Sequence, residues 1–116
     1  MKVELTRLRI KEGMSARVDE WFATLNARHE ECVETLEREK MYVESIFREK
    51  IGEEEFLYWF SIQGEGGEPI ATSPFPIDTI HRAFGAECVD RSHPRSDMEP
   101  EVLLIAPDVA DMLNKA

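Results

Sequence analysis

Several things are scarce in this 116-residue chain. It has two cysteines, Cys32 and Cys88, too few for a disulfide framework, so a reducing cytoplasmic setting is expected. No apolar run approaches the roughly 18 residues of a membrane span. Met1 leads straight into a strand-like segment, so no leader is expected. Cations are also few: 14 Lys and Arg stand against 24 Asp and Glu, a formal charge of −10. That balance repels a nucleic-acid backbone or an anionic membrane surface, and neither is expected as a partner. Proline is absent before Pro69, and all six prolines fall between 69 and 107. Regular structure with tight turns is therefore expected first and longer connections later.

Apolar residues make up 42% and charged residues 33% of the chain, the composition of one globular domain spanning 1–116. Residues 3–10 alternate as a strand does. Ser15 is the expected N-cap of a helix running to about Glu37, with Val18, Phe22, Leu25, His29, Cys32 and Leu36 on one stripe. Strands are expected at about 41–49 and 56–63, joined through Gly52. A Gly/Pro-rich loop covers 64–76, and a helix with Ile77, Ile80, His81, Phe84 and Cys88 inward runs to about Val89. An irregular stretch, a last strand at 101–105 and a short helix opening at Pro107 complete the chain. The order is that of a ferredoxin-like βαββαβ fold: α+β, a four-stranded antiparallel sheet with both main helices on one face, and an extra short C-terminal helix.

Three strands are apolar on both faces. In Phe56-Leu57-Tyr58-Trp59-Phe60 every position is apolar or aromatic, while a strand with one wet face should alternate. Val3, Leu5, Leu8 and Ile10 in the first strand and Val102–Ile105 in the last repeat the pattern. A homodimer packed through the sheet face opposite the helices is the expectation, because large apolar faces are seldom left in water.

The segments Met41–Glu49 and Tyr58–Gly67, the opening Val3–Gly13, and Ile77-Asp78, His81, Phe84 and Glu87–Asp90 together resemble a family of small, uncharacterised bacterial proteins, a domain of unknown function. More remotely, the layout is similar to the dimeric α+β barrel superfamily, which includes antibiotic-biosynthesis-type monooxygenases, chlorite-dismutase-like haem proteins and sugar mutarotases. The resemblance implies two sheets packed face to face and a pocket between sheet and helices in each subunit. It does not imply a particular chemistry, since function varies on that scaffold.

His29 and His81 sit on the inward stripes of the two helices, where they could serve one pocket as acid or base or be satisfied core groups. Asp78, three residues before His81, fits an orienting partner or a helix cap. Glu44, mid-strand among aromatics, is the third candidate catalytic group. Arg7, Tyr58, Trp59 and Gln63 are the candidate ligand-binding residues, with Arg7 as an anion anchor or as an ion-pair partner of Glu44. Gly64-Glu65-Gly66-Gly67 is no phosphate loop: it lacks the Gly-Lys-Ser/Thr ending and carries a repelling Glu65. The loop could instead form a lid. No metal motif is present, Cys88 reads as packing, His93 reads as solvated, and no cofactor is expected. Two functions follow. One is a small-molecule, cofactor-free acid–base enzyme of mutarotase or monooxygenase type. The other is a non-catalytic ligand-binding or regulatory dimer whose polar residues are structural.

Overall fold

A computed structural model describes residues 1–115. Its elements are β1 (Lys2–Arg9), α1 (Ser15–Ala27), α2 (His29–Glu39), β2 (Met41–Ile51), β3 (Glu54–Gln63), a 3-10 turn (Ile70–Thr72), α3 (Pro76–Cys88), β4 (Ser96–Met98) and α4 (Pro107–Lys115). The strands form one antiparallel sheet in the order β2-β3-β1-β4.

The β2–β3 hairpin turns through Gly52 and Glu53, between the paired residues Ile51 and Glu54. Gly52 has φ +62°, the left-handed conformation that a two-residue hairpin turn requires. This turn sets the register, and the register sets the faces. Arg7 pairs with Tyr58 and Tyr58 with Phe47, while Thr6 pairs with Trp59 and Trp59 with Ile46. Leu8, Ile10, Leu57, Trp59, Ile46 and Glu44 therefore face the helices. Leu5, Arg7, Tyr58, Phe60 and Phe47 face the other way.

The core lies on the helix side. Val18 and Trp21 of α1 meet Phe84 and Cys88 of α3 over Leu57 and Ile10. Trp21 stacks nearly parallel on Phe84 at 6.3 Å. On the outer face Phe56 is also buried, under the Arg7 guanidinium at 5.5 Å and against the edge of His93 at 6.0 Å. His93 is thus half-buried rather than solvated.

Several expectations are corrected. The first helix is broken at Arg28 (φ −107°, ψ 35°), so α1 and α2 are separate helices. The Cys32 thiol reaches back to the Leu25 carbonyl across the break. Met14, not Ser15, occupies the N-cap. Ser15 instead donates to the buried Glu55 carboxylate at 2.8 Å, and Arg48 binds both, tying β2 to the start of α1. The fourth strand is Ser96–Met98, not 101–105. It is polar and short, held to β1 by a Thr6 hydroxyl donating to Asp97 at 2.8 Å, and it ends before Pro100, which cannot donate to a ladder. Residues 101–105 form no strand, and Val102 and Leu104 lie exposed.

Candidate functional site

Between the helices and the sheet lies an open cleft of about 500 Å³. Phe22, Leu25, Leu36, Ile46, Ile70 and Ile77 supply its apolar lining, and Trp59 forms part of its floor. Its titratable groups are His29, Cys32, Glu39, Glu44, Asp78 and His81, and Asn26, Thr35 and Ser45 add uncharged polar ones. No Lys or Arg is among the described residues that line it.

His81 is the most closely defined of these groups. It sits four residues after Ile77 on the inward face of α3, between the rings of Trp59 at 5.1 Å and Trp21 at 5.6 Å. The Trp21 indole N–H donates to Nδ1 at 2.9 Å. An imidazole that accepts at Nδ1 and is neutral carries its hydrogen on Nε2. Burial lowers the pKa of His81, with Asp78 opposing more weakly, so the neutral ring is favoured.

Glu44 stands on the inner face of β2, register partner of Ser61. The residue is exposed at the cleft that it lines. Desolvation raises its pKa; a hydrogen bond from Trp59 pulls the other way, and the charge of Asp78 adds to the rise. Glu39 is pushed up to about 7, first by burial and then by the charges of Glu44 and Asp78, with Arg38 opposing. Two carboxyls thus share the cleft, and both hold their protons to higher pH than a free carboxyl does.

Sequence reasoning missed Glu39. It is the last residue of α2, and the chain turns immediately through Lys40 (φ 54°) into β2. A strap from Gln63 to Ser73 closes over this helix end. Gln63 Nε2 donates to the Glu39 carbonyl at 3.0 Å, the Gly64 amide to Lys40 at 2.7 Å, and the Glu68 amide to Arg38 at 3.0 Å. The Arg38 guanidinium returns to the Pro69 and Thr72 carbonyls. Gly67 passes so close that a Cβ there would lie 2.0 Å from the Glu39 carbonyl oxygen. The strap satisfies the orphan carbonyls of the helix end and holds the Glu39 backbone in place.

The remaining candidates divide. His29, exposed at the start of α2, lies on the rim of the cleft. Trp59 lines it. Asp78 is buried at the start of α3 and accepts from the Ser73 hydroxyl. Gln63 binds the Glu39 backbone rather than lining the cleft. Arg7 and Tyr58 are on the outer face, where Tyr58 donates to Glu49 at 2.7 Å. Arg7 therefore neither anchors an anion in this cleft nor meets Glu44, because odd positions of β1 and even positions of β2 face opposite sides of the sheet. The Cys32 thiol is raised by burial and stays protonated, and Cys88 is packed in the core.

A pH dependence follows from Glu39. Its folded pKa, about 7, lies above the ordinary 4.5, so the folded state holds an extra proton between those values and loses stability as pH rises through that window. Glu39→Gln should match the wild type in urea midpoint near pH 4 and exceed it increasingly up to about pH 7. A difference independent of pH would show that Glu39 titrates normally.

A model of the "Family of unknown function (DUF6176)" matches residues 1–111. The chain belongs to this family. No curated protein matches it. Among solved structures it is similar to an L-rhamnose mutarotase from Formosa agariphila, at 16% identity and a TM-score of 0.54, over 91% of this chain and 99% of that one. The likeness shows the fold: a ferredoxin-like α+β domain of the kind expected from the element order. No helix among the described residues is long and apolar enough to cross a membrane.

Proposed function

We propose that this DUF6176 member binds a small, uncharged, hydroxyl-rich metabolite in the helix–sheet cleft and exchanges protons with it, as a cofactor-free acid–base enzyme. The reading has a homodimer as the working unit and the cytoplasm as its setting. The observation that carries it is Glu39, held near pKa 7 beside Glu44 in a cleft floored by Trp59. Carboxyls whose environments place one as acid and the other as base near neutral pH are the ordinary equipment of proton transfer. Glu39 is the acid. Glu44, whose rise the Trp59 hydrogen bond restrains, is the base. Neutral His81 donates from Nε2. The ring of Trp59 offers an apolar wall for one face of a sugar.

Sugar mutarotation needs no more than this. A base takes the anomeric hydroxyl proton while an acid protonates the ring oxygen; the C1–O5 bond breaks and an open-chain aldehyde forms. Rotation at C1 and the reverse steps give the other anomer. The structural neighbour is named for this reaction on L-rhamnose, and the cleft chemistry suits the same class of substrate. With three carboxyls and no cation among its described lining, the cleft should reject phosphorylated or carboxylated analogues.

A thermal-shift series tests the binding side. Neutral hexoses and 6-deoxyhexoses at millimolar concentration should raise Tm, their phosphates should not, and Trp59→Ala should abolish the shift. Stabilisation by sugar phosphates but not by the neutral sugars would refute the assignment. Stabilisation without any anomer exchange would favour a binding module over an enzyme.

A further inference from the structure

The C-terminal segment is unusual for a domain this size. From Glu99 onward the chain leaves the edge strand β4 and carries a row of unpacked apolar side chains. Val102 is 76% exposed, Leu104 90% and Met112 71%. Helix α4 has no buried residue and is not among the elements packed closely on another. The radius of gyration is 15.2 Å, where a compact domain of this length has about 13 Å. A folded domain with so short a chain does not ordinarily hold an arm of Val, Leu and Met in water.

The outer sheet face has the opposite need. Leu5, Phe47, Tyr58 and Phe60 form a shallow apolar depression on it, and Phe47 is 58% exposed. Its charges are unevenly used. Arg9 is held by Glu54 and Glu49 by Tyr58, whereas the Arg7 Nε–H is buried without a partner among the described residues. The arm carries Glu99, Glu101, Asp108 and Asp111 among its apolar positions. One surface is apolar and holds an Arg7 guanidinium with no ion pair among the described residues, and the other is apolar with carboxylates.

We propose that residues 99–115 of one copy lie across the outer sheet face of a second copy, and reciprocally, so that the arms complete the dimer. The proposal rests on the homodimer reading above and adds how its interface is made. Area supports it. The three long strands cover about 460 Å² in plan, and contact from an arm would add to what that face can bury towards the ~800 Å² per partner of a standard interface. An arm laid over the same face supplies further contact, and its exchange between identical copies gives a closed two-fold arrangement. Met98, opposite Leu5 in the β1–β4 register, stands on the outer face where the arm departs.

The test is light scattering coupled to size exclusion, from about 1 to 100 µM, on the full chain and on the double variant Val102→Glu, Leu104→Glu. Both positions are exposed in the isolated fold, so the variant should keep the wild-type circular dichroism. The expected result is a wild-type dimer and a variant whose dissociation constant rises at least about 100-fold. Hydrogen exchange gives a second reading: amides of 101–115 should be protected at 100 µM and exchange freely at 1 µM. A wild-type dimer that the double variant leaves unchanged, with unprotected arm amides, would overturn the arm while leaving the dimer standing. A wild-type monomer at 100 µM would overturn both.

Discussion

Glu44→Gln should slow anomer exchange of a neutral sugar by about 10²–10⁴-fold, the usual contribution of a positioned proton-transfer group. The substitution keeps the shape of the side chain and a hydrogen-bond acceptor for Trp59, and removes only the charge. The same change should lower the pKa of Glu39 from about 7 towards 4.5, because Glu44 is the leading charge acting on it after burial itself. The two effects are linked. An enzyme that has lost its base also loses part of what keeps its acid protonated, so any residual rate should fall off at lower pH than in the wild type. Carboxyl-carbon NMR of Glu39 reads the pKa, and saturation-transfer NMR on the sugar anomers reads the rate. A Glu39 pKa that stays near 7 in the variant would assign the shift to burial and Asp78 without Glu44.

The second large effect belongs to Trp21. It is 1% exposed and touches Phe22, Trp59, His81 and Phe84, joining the core to the cleft. Trp21→Ala should cost about 3–5 kcal/mol, which in a domain of this size lowers Tm by more than about 10 °C. Trp21→Phe separates packing from hydrogen bonding. It keeps an aromatic in the layer but withdraws the donor from His81 Nδ1, a loss of about 1 kcal/mol. His81 would then be free to change tautomer, so exchange activity should fall further than stability does. Equal stability losses in the two variants would show that the indole N–H, rather than ring packing, dominates.

The contrast between those residues shows where the sequence was legible. Periodicity brought Val18, Phe22 and Leu25 onto the inner side of α1 and His81 onto the inner side of α3. Alternation placed Glu44 with Ile46 on one face of β2 and Leu57 with Trp59 on one face of β3. These assignments need only the helical and strand periods. Arg7 required more, because pairing it with Glu44 depends on which faces the two strands share. That is decided by the Gly52 turn and by the β1–β3 pairing of residues some fifty positions apart. Glu39 lay in a charged run, Glu37-Arg38-Glu39-Lys40, that reads as a solvated helix end. What turns it into a cleft residue is the left-handed Lys40 and a strap of residues more than twenty positions later. The usable signals were a helix meeting a strand with almost no spacer and a glycine cluster at 64–67. The misplaced last strand has a different cause. Val102–Ile105 has the strand composition, but Thr6 offers a hydrogen bond to Asp97, and a three-residue polar edge won the pairing.

The central claim is that Glu39 and Glu44 form a working acid–base pair in the cleft. The pH dependence of anomer exchange tests it most directly, measured by saturation-transfer NMR on a neutral 6-deoxyhexose between pH 4 and 9. A bell-shaped profile is predicted, falling on the alkaline side as Glu39 loses its proton near pH 7 and on the acid side as Glu44 gains one, with both limbs attached to a rate that Glu44→Gln removes. A wild-type rate equal to that of Glu44→Gln at every pH would contradict the account.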